Sequence, residues 1–297
     1  MYERIASNKR RSALLVILFF GLIAVLAALL GAATGMGRAG FALAVVLSTV
    51  MTLVSYYASD SIVLAISRAK PARREDYPQL VNAVEGLTMA AGLPQPPRVY
   101  VIDDTAPNAF ASGRNPGKAV VCVTTGLLSK LDRTELEGVV AHEMSHIKNY
   151  DVRLQTLVVV MVGVVALLSD WILRSFFWGG RRRGKGGGGA AVFILVGLVL
   201  AALSPLIARL IQFAVSRRRE FLADADGALL TRYPAGLASA LRKIAADKEP
   251  LEAANKATAH LYIVNPLKDV KGAVNRLFST HPPLEERITA LEKMGGY

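Results

Sequence analysis

Two histidines in the segment AHEMSHIKNYD are spaced to bind one metal ion. His142 and His146 are four positions apart, which puts them on the same face of an α-helix. Neutral imidazole is a good zinc ligand, so the pair predicts a metal site. Glu143 lies next to the first histidine, about 100° round the helix, beside the metal rather than on it. From there its carboxylate can take a proton from a water bound at the metal, as a general base does.

A catalytic zinc needs three protein ligands and one open position, and the segment SRRREFLADADGALL offers a third ligand. Glu220 and Asp224 are four positions apart and share a helix face. Glu220 can bind the metal, while Asp224 can reach the second nitrogen of a histidine and fix its tautomer. By analogy with other zinc proteases that use a glutamate ligand, His142 is the better partner. The alternatives are that Glu220 is only a solvated charge and that His281 is the third ligand.

His281 lies in STHPPLEERI, directly before two prolines. Proline fixes its own φ and restricts the residue before it, so this segment is stiff and extended. One interpretation is a turn that starts the final helix. A second keeps that turn and adds a role, in which His281 donates to the oxyanion that forms during peptide hydrolysis.

The segment NAFASG predicts a strand at a sheet edge that could bind substrate. Proteases often hold a peptide as an added β-strand, because backbone hydrogen bonds do not depend on side-chain identity. Asn108, Ala109 and Ala111 are small or polar, and Phe110 would anchor the strand inward. An ordinary short strand is the alternative.

The chain is too apolar for an ordinary soluble domain, with 53% hydrophobic residues among 297. Each of its long apolar windows approaches the roughly 20 residues that a helix needs to cross a bilayer. The third is the shortest and could instead be a buried or interfacial helix. The charge-free windows cover residues 12–37, 39–59, 154–169 and 186–208.

The net charge of +12 is concentrated beside these windows. This pattern follows the positive-inside rule, which predicts a cytoplasmic N-terminus and cytoplasmic polar segments and argues against nucleic-acid binding. The basic loop GGRRRGKGGGG would be external if both helices of the second hairpin span, against the same rule. Either the first hairpin dominates the orientation or the second hairpin does not fully cross; two spans are favoured. The lone Cys122 excludes an internal disulfide and is interpreted as a buried strand residue.

These patterns predict an α-helical integral membrane protein with a split α+β domain that carries the metal site. A first transmembrane hairpin covers residues 1–60. The split domain covers 61–152 and 216–297, and a second hairpin covers 153–215, with its Gly/Arg-rich loop at 179–189. Within the domain we expect a helix at 78–91, strands at 98–102, 109–112 and 119–124, and a helix that begins after Asp132 with a capping box to Glu135.

Together, AHEMSHIKNYD, EFLADADGA, STHPPLEERI and NAFASG resemble the HtpX-type membrane metalloproteases, relatives of the CAAX prenyl protease Ste24. The resemblance covers about residues 4–290. It implies a zincin-like (gluzincin) domain facing the cytoplasm of a prokaryote at its inner membrane. It also implies one Zn²⁺ held by His142, His146 and Glu220, with Glu143 as general base.

The leading functional hypothesis is zinc-dependent cleavage of damaged or misfolded membrane proteins. Its expected partners are polypeptides and the lipid bilayer; the oligomeric state is left open. A catalytically silent membrane scaffold is one alternative, although it would not need Glu143. A metal transporter would need more ionisable groups within its spans. A prenyl-peptide protease usually has a larger helical chamber than four spans can build.

Overall fold

A computed structural model describes residues 2–33, 37–179, 216–254, 258–266 and 282–296. The described chain is mostly helical, with one small mixed sheet. His281, the Gly/Arg-rich loop beyond Gly179 and the fourth apolar window lie outside these residues.

Three helices form the N-terminal part: α1 (Tyr2–Ala33), α2 (Gly37–Tyr57) and α3 (Ser59–Ile66). The first two match the predicted apolar hairpin, but α1 begins well before its charge-free window. Among the residues described, no single helix is long and apolar enough to be a candidate membrane span. One bent pair, Val45–Tyr57 with Ser59–Ile66, qualifies on length and composition alone, with a bend of 72°.

The sheet has four strands in the order β1-β2-β4-β3. Strands β2 and β4 run parallel, and the outer strands β1 and β3 pair with them in antiparallel fashion. The predictions for the last three strands are confirmed to within one residue, whereas the two-residue β1 was not predicted. Strand bounds are Lys70–Pro71 for β1, Arg98–Ile102 for β2, Ala109–Ser112 for β3 and Val120–Thr124 for β4.

The helices around the sheet begin and end where local signals place them. Helix α4 (Pro78–Ala91) ends at Gly92, whose φ of 66° is the left-handed conformation that glycine adopts without strain. The short α5 (Thr125–Lys130) follows β4 and was not predicted. Helix α6 (Arg133–Lys148) has the predicted capping box, in which Asp132 and Glu135 each accept a backbone hydrogen bond from the other.

Helix α7 (Asp151–Gly179) follows α6 after a short turn and continues into the third apolar window without a break. The remaining described helices are α8 (Arg217–Thr231), α9 (Pro234–Ala246) and α10 (Leu284–Met294). Helix α6 packs against α4, α8 and α9, which makes it the central helix of the domain.

Side chains from the two faces of the sheet enter different cores. Val101, Val121 and Val123 face the larger core, where they meet α4, α6, α9 and α10. Phe110 and Cys122 face a smaller core on the other side, with residues of α3, α7 and the 258–264 segment. The interpretation of Cys122 as a buried strand residue is therefore confirmed.

A third apolar cluster joins α1 to α7. The buried positions of α1 recur at helical spacing and form one stripe along the helix. They pack against the first four turns of α7. The stripe comprises Asn8, Ser12, Leu15, Phe19 and Ile23.

Two glycines bring α6 and α9 into close contact. A Cβ on Gly138 would lie 2.7 Å from the backbone nitrogen of Leu237, and one on Gly236 would lie 2.8 Å from the carbonyl oxygen of Thr134. Neither position can take a larger residue unless the helices separate.

We therefore expect Gly138→Ala to lower the thermal unfolding midpoint of the detergent-purified protein. Overpacking costs about 1–3 kcal/mol, against a gain of about 1 kcal/mol in helix propensity. Gly86→Ala is the matched control, because Gly86 is an exposed residue of α4 whose Cβ would meet nothing within 4 Å. An unfolding midpoint that rises equally in both variants would contradict the close packing of α6 on α9.

Candidate metal centre

Helices α6 and α8 cross at the predicted site. Helix α6 presents His142, Glu143 and His146, and α8 presents Glu220 across from them. The crossing is close, since a Cβ on Gly227 of α8 would lie 3.0 Å from the backbone nitrogen of His142. Because Gly227 has no side chain, α8 lies close enough to α6 for the Glu220 carboxylate to approach the imidazoles of His142 and His146.

The three predicted ligands meet around one point. The Nε2 atoms of His142 and His146 are 3.2 Å apart, and Glu220 lies 3.8 Å from the first and 3.5 Å from the second. One potential ligand atom from each residue falls within 4.8 Å of the others, and all three residues are buried. Metal bonds of about 2.0–2.1 Å in a tetrahedron require ligand atoms about 3.3 Å apart, so this donor set fits a zinc-sized ion.

Each histidine is oriented by a carboxylate on its other nitrogen. The Nδ1 atom of His142 is 2.9 Å from Asp224, as the sequence predicted, and the Nδ1 atom of His146 is 3.2 Å from Asp151. With both Nδ1 protons directed to carboxylates, the Nε2 lone pairs face each other. Two lone pairs at 3.2 Å repel, so the arrangement requires a proton or a metal ion between them.

Arg287 of α10 holds Asp224 in place. Its Nε and Nη2 atoms donate to the two oxygens of that carboxylate at 2.8 and 2.7 Å, and Nη1 donates to the carbonyl of Ile263 at 3.0 Å. The arginine is 0% exposed. Burial alone would raise the pKa of Asp224, but Arg287 and His142 together lower it to about 2. The carboxylate therefore stays ionised as the partner of His142.

Asp151 reaches His146 because the chain turns sharply after α6. Tyr150 adopts a left-handed backbone with φ of 59°, and Asp151 then starts α7. Burial lowers the pKa of His146, but Asp151 and Glu220 outweigh it and raise it to about 9. A carboxylate on the outer nitrogen thus makes His146 a more basic ligand.

Glu143 is buried beside the ligands without joining them. Burial raises its pKa to about 7, the positive charge of His146 opposes the rise, and the charge of Glu220 adds to it. The backbone N–H of Ala111 in β3 also donates a hydrogen bond to this carboxylate, which favours its charged form. A carboxyl group that titrates near neutrality is suited to both accept and return a proton.

The predicted substrate edge, β3, borders the site, and all four of its residues are buried. Ile263 donates its backbone N–H to the carbonyl of Ala109 at 2.9 Å, and the Asn108 side chain binds the backbone of Val264. Phe110 points inward and stacks edge-on against Tyr262, as expected of an anchor. In an antiparallel pair of strands, every second residue forms hydrogen bonds with the neighbouring strand. Asn108 bonds to the end of β4, so Phe110 and Ser112 face β4 in the same way and the backbone groups of Ala111 point away from it.

Sequence reasoning missed Asp151 and Arg287. Both lie inside segments that were recognised, but their roles depend on contacts between distant helices. A signal for Arg287 was present, since it shares a helix face with the apolar residues Leu284, Ile288 and Leu291. A charged residue on a buried face implies a buried partner.

Residues 74–295 match the model of the family "Peptidase family M48". Curated relatives named "Protease HtpX homolog" are similar over nearly the full chain. The protein from Dictyoglomus turgidum is 49% identical, covering 99% of this chain and 95% of its own length. Those from Tropheryma whipplei (strain Twist) and Listeria monocytogenes (strain CLIP80459) are 46% and 42% identical, each covering 99% of this chain and 99% and 100% of their own lengths.

Among solved structures, the fold resembles that of Ste24p from S. mikatae. The TM-score is 0.50 at 18% identity, over 98% of this chain and 67% of the other. This similarity concerns the fold.

The Arg287–Asp224 contact leads to a direct prediction. We expect Arg287→Lys to weaken metal binding about 10- to 100-fold, because lysine cannot hold both oxygens of Asp224 and the orientation of His142 is lost. Competition with a chelator measures the dissociation constant. The control is Arg242→Lys, at an exposed ion pair with Glu292 between α9 and α10. Wild-type metal affinity in Arg287→Lys would refute the role of the arginine.

Proposed function

Because this chain belongs to peptidase family M48 and is a metalloprotease, we propose that it is a membrane-embedded zinc endopeptidase. We infer that its substrates are damaged or misfolded membrane proteins. The observation that carries the proposal is the convergence of His142, His146 and Glu220 around one point, with Glu143 buried beside them.

The donor set favours zinc. Two imidazoles and one carboxylate are common ligands of catalytic zinc, and their separations fit its short bonds. When bound, zinc lowers the pKa of a coordinated water and polarises the scissile carbonyl. His142, His146 and Glu220 would hold it, while Asp224 and Asp151 bind the Nδ1 atoms of the two histidines and orient their Nε2 atoms toward the site.

In the proposed reaction Glu143 accepts the proton of the attacking water. Its pKa near 7 leaves a substantial fraction ionised at neutral pH, ready to act as a base. The same carboxyl can then give the proton to the leaving amine, because its pKa is near the operating pH. His281 remains our candidate for supporting the oxyanion.

Substrate binding along β3 is supported by the position of that strand. It forms the edge of the sheet next to Glu143, and the backbone groups of Ala111 point away from its neighbour β4. A peptide added there would place its scissile bond beside the metal ligands. Ile263 already bonds to Ala109, the Ala111 N–H contacts Glu143 and Gly113 donates to Thr156 of α7, so the peptide would pair first at the carbonyl of Ala111.

A membrane location is supported by the surface of the N-terminal helices. Apolar side chains of α1 and α2 are half-exposed or more, including Ile17 at 67% and Val25 and Val46 at 58%. Exposed apolar surface of this extent indicates a partner, and lipid fits the charge-free sequence around it. With basic residues at the start of α1, we propose a multi-pass inner-membrane protein of a prokaryote, with its N-terminus and catalytic domain in the cytoplasm.

The catalytic proposal is tested by two variants in one assay. We expect Glu143→Gln to abolish cleavage of casein, a loosely folded substrate, while keeping wild-type zinc content, because glutamine cannot accept the proton. We expect Glu220→Ala to lose both zinc and activity, because a ligand is missing. Zinc analysis and a casein assay on the same detergent-purified samples decide between the roles. Loss of zinc in Glu143→Gln, or wild-type zinc in Glu220→Ala, would reassign these residues.

The topology is tested by cysteine labelling in a Cys122→Ser background. If the second hairpin crosses the bilayer, Gly187→Cys should react with a membrane-impermeant maleimide in intact cells. Glu75→Cys, at an exposed position of the proposed cytoplasmic domain, should react only after lysis. Labelling of both sites only after lysis would show that the second hairpin does not cross.

A further inference from the structure

One polar residue of the apolar helix α1 reaches the metal centre. Asn8 is 5% exposed and begins the buried stripe that packs α1 against α7. A buried amide is costly unless its hydrogen bonds are made. Its Nδ2 atom donates to Asp151 and to the carbonyl oxygen of Asn149, both at 2.8 Å. A carboxylate and a carbonyl oxygen can only accept hydrogen bonds, so they fix the Nδ2 end of the amide toward Asp151 and Asn149.

The same amide also contacts α8, the helix that carries Glu220. The Oδ1 atom of Asn8 accepts a hydrogen bond from Arg219 at 3.3 Å, and Arg219 itself lies 3.5 Å from Asp151. Asn8 therefore contacts the α6–α7 turn and the start of α8 at once. The α6–α7 turn leads to Asp151, which contacts Nδ1 of His146. The start of α8 carries Arg219, the residue directly before Glu220.

We propose that Asn8 is a positioning residue for the zinc site, acting on His146 through Asp151. The carboxylate of Asp151 has one oxygen on Nδ1 of His146 and the other on the Asn8 amide. Donation from Asn8 holds the carboxylate in the plane that directs Nε2 of His146 toward the other ligands. The N-terminal helix is thereby part of the metal site and does more than anchor the protein.

This inference rests on the proposed zinc endopeptidase function, but it makes a separate prediction. Removing the amide should weaken zinc binding while leaving all three ligands in place. Loss of an outer contact of this kind typically costs 10- to 100-fold in metal affinity. Asn8 contacts Asp151, which in turn contacts His146, so its effect is indirect. We therefore expect a loss of about tenfold in zinc affinity, the low end of that range.

The test uses full-length protein in detergent, with Asn8→Ala and Asn8→Leu as removal variants. Leucine has the same branched arrangement of side-chain heavy atoms as asparagine and suits an apolar helix, so it removes the hydrogen bonds without leaving a cavity. Ser12→Ala is the control, because Ser12 is the next buried position on the same stripe and its hydroxyl has no hydrogen-bond partner in the described part of the chain. The zinc dissociation constant is measured by chelator competition, and unfolding midpoints are measured with and without zinc.

We expect both Asn8 variants to bind zinc about tenfold more weakly and to gain less thermal stability from zinc than the wild type. Ser12→Ala should match the wild type. In an Asp151→Asn background, Asn8→Leu should add little further loss, because residues that act through one contact are not additive.

Wild-type zinc affinity in both Asn8 variants would overturn the inference, and so would full additivity with Asp151→Asn. Failure of both variants to fold would overturn it as well, because the contact would then serve the fold and not the zinc site. Failure of the proposed function is distinguishable from these outcomes. In that case the wild-type protein itself would bind no zinc or cleave no casein, whatever residue occupies position 8.

Discussion

The architecture depends on burying a cluster of charges next to two apolar cores. Carboxylates outnumber cations around the site: Glu143, Asp151, Glu220 and Asp224 surround it, and Arg287 is the most deeply buried cation among the described residues that contact them. Unpaired buried charge is strongly destabilising. A divalent cation between the two histidines would offset this negative charge, so the electrostatics and the ligand geometry favour the same occupant.

Each contact in the cluster requires a particular helix position. Gly227 lets α8 approach α6, and Gly138 and Gly236 do the same for α6 and α9. Helix α10 then packs on α9 and brings Arg287 to Asp224. The small residues thus have a chemical consequence, because a wider crossing would move Glu220 away from the imidazoles. Packing and catalysis are linked here through the distances between helix axes.

Local features could be predicted from the sequence, and contacts between distant elements could not. The capping box at Asp132, the end of α4 at Gly92 and the shared face of His142 and His146 depend on neighbouring residues, and the structure confirms them. Glu220 was predicted as the third ligand because few acidic residues or histidines were candidates, and the structure places its carboxylate near both imidazoles. The Asn8–Asp151 contact spans 143 positions, and no local pattern predicts such a pairing.

The apolar helices α1 and α7, which we propose to lie in the membrane, are physically continuous with the metal site. Helix α7 starts with Asp151, the partner of a proposed ligand, and continues into a long apolar segment. Helix α1 packs along that segment through Leu15, Phe19 and Ile23 and ends its buried stripe at the Asn8 amide. A tilt of α1 relative to α7 would act first on the carboxylate between them, because the rest of their interface is non-directional apolar packing. In this arrangement α1 and α7, the helices we propose to lie in the bilayer, are one support of the metal site, which explains why a hydrolytic centre lies directly next to an apolar helix.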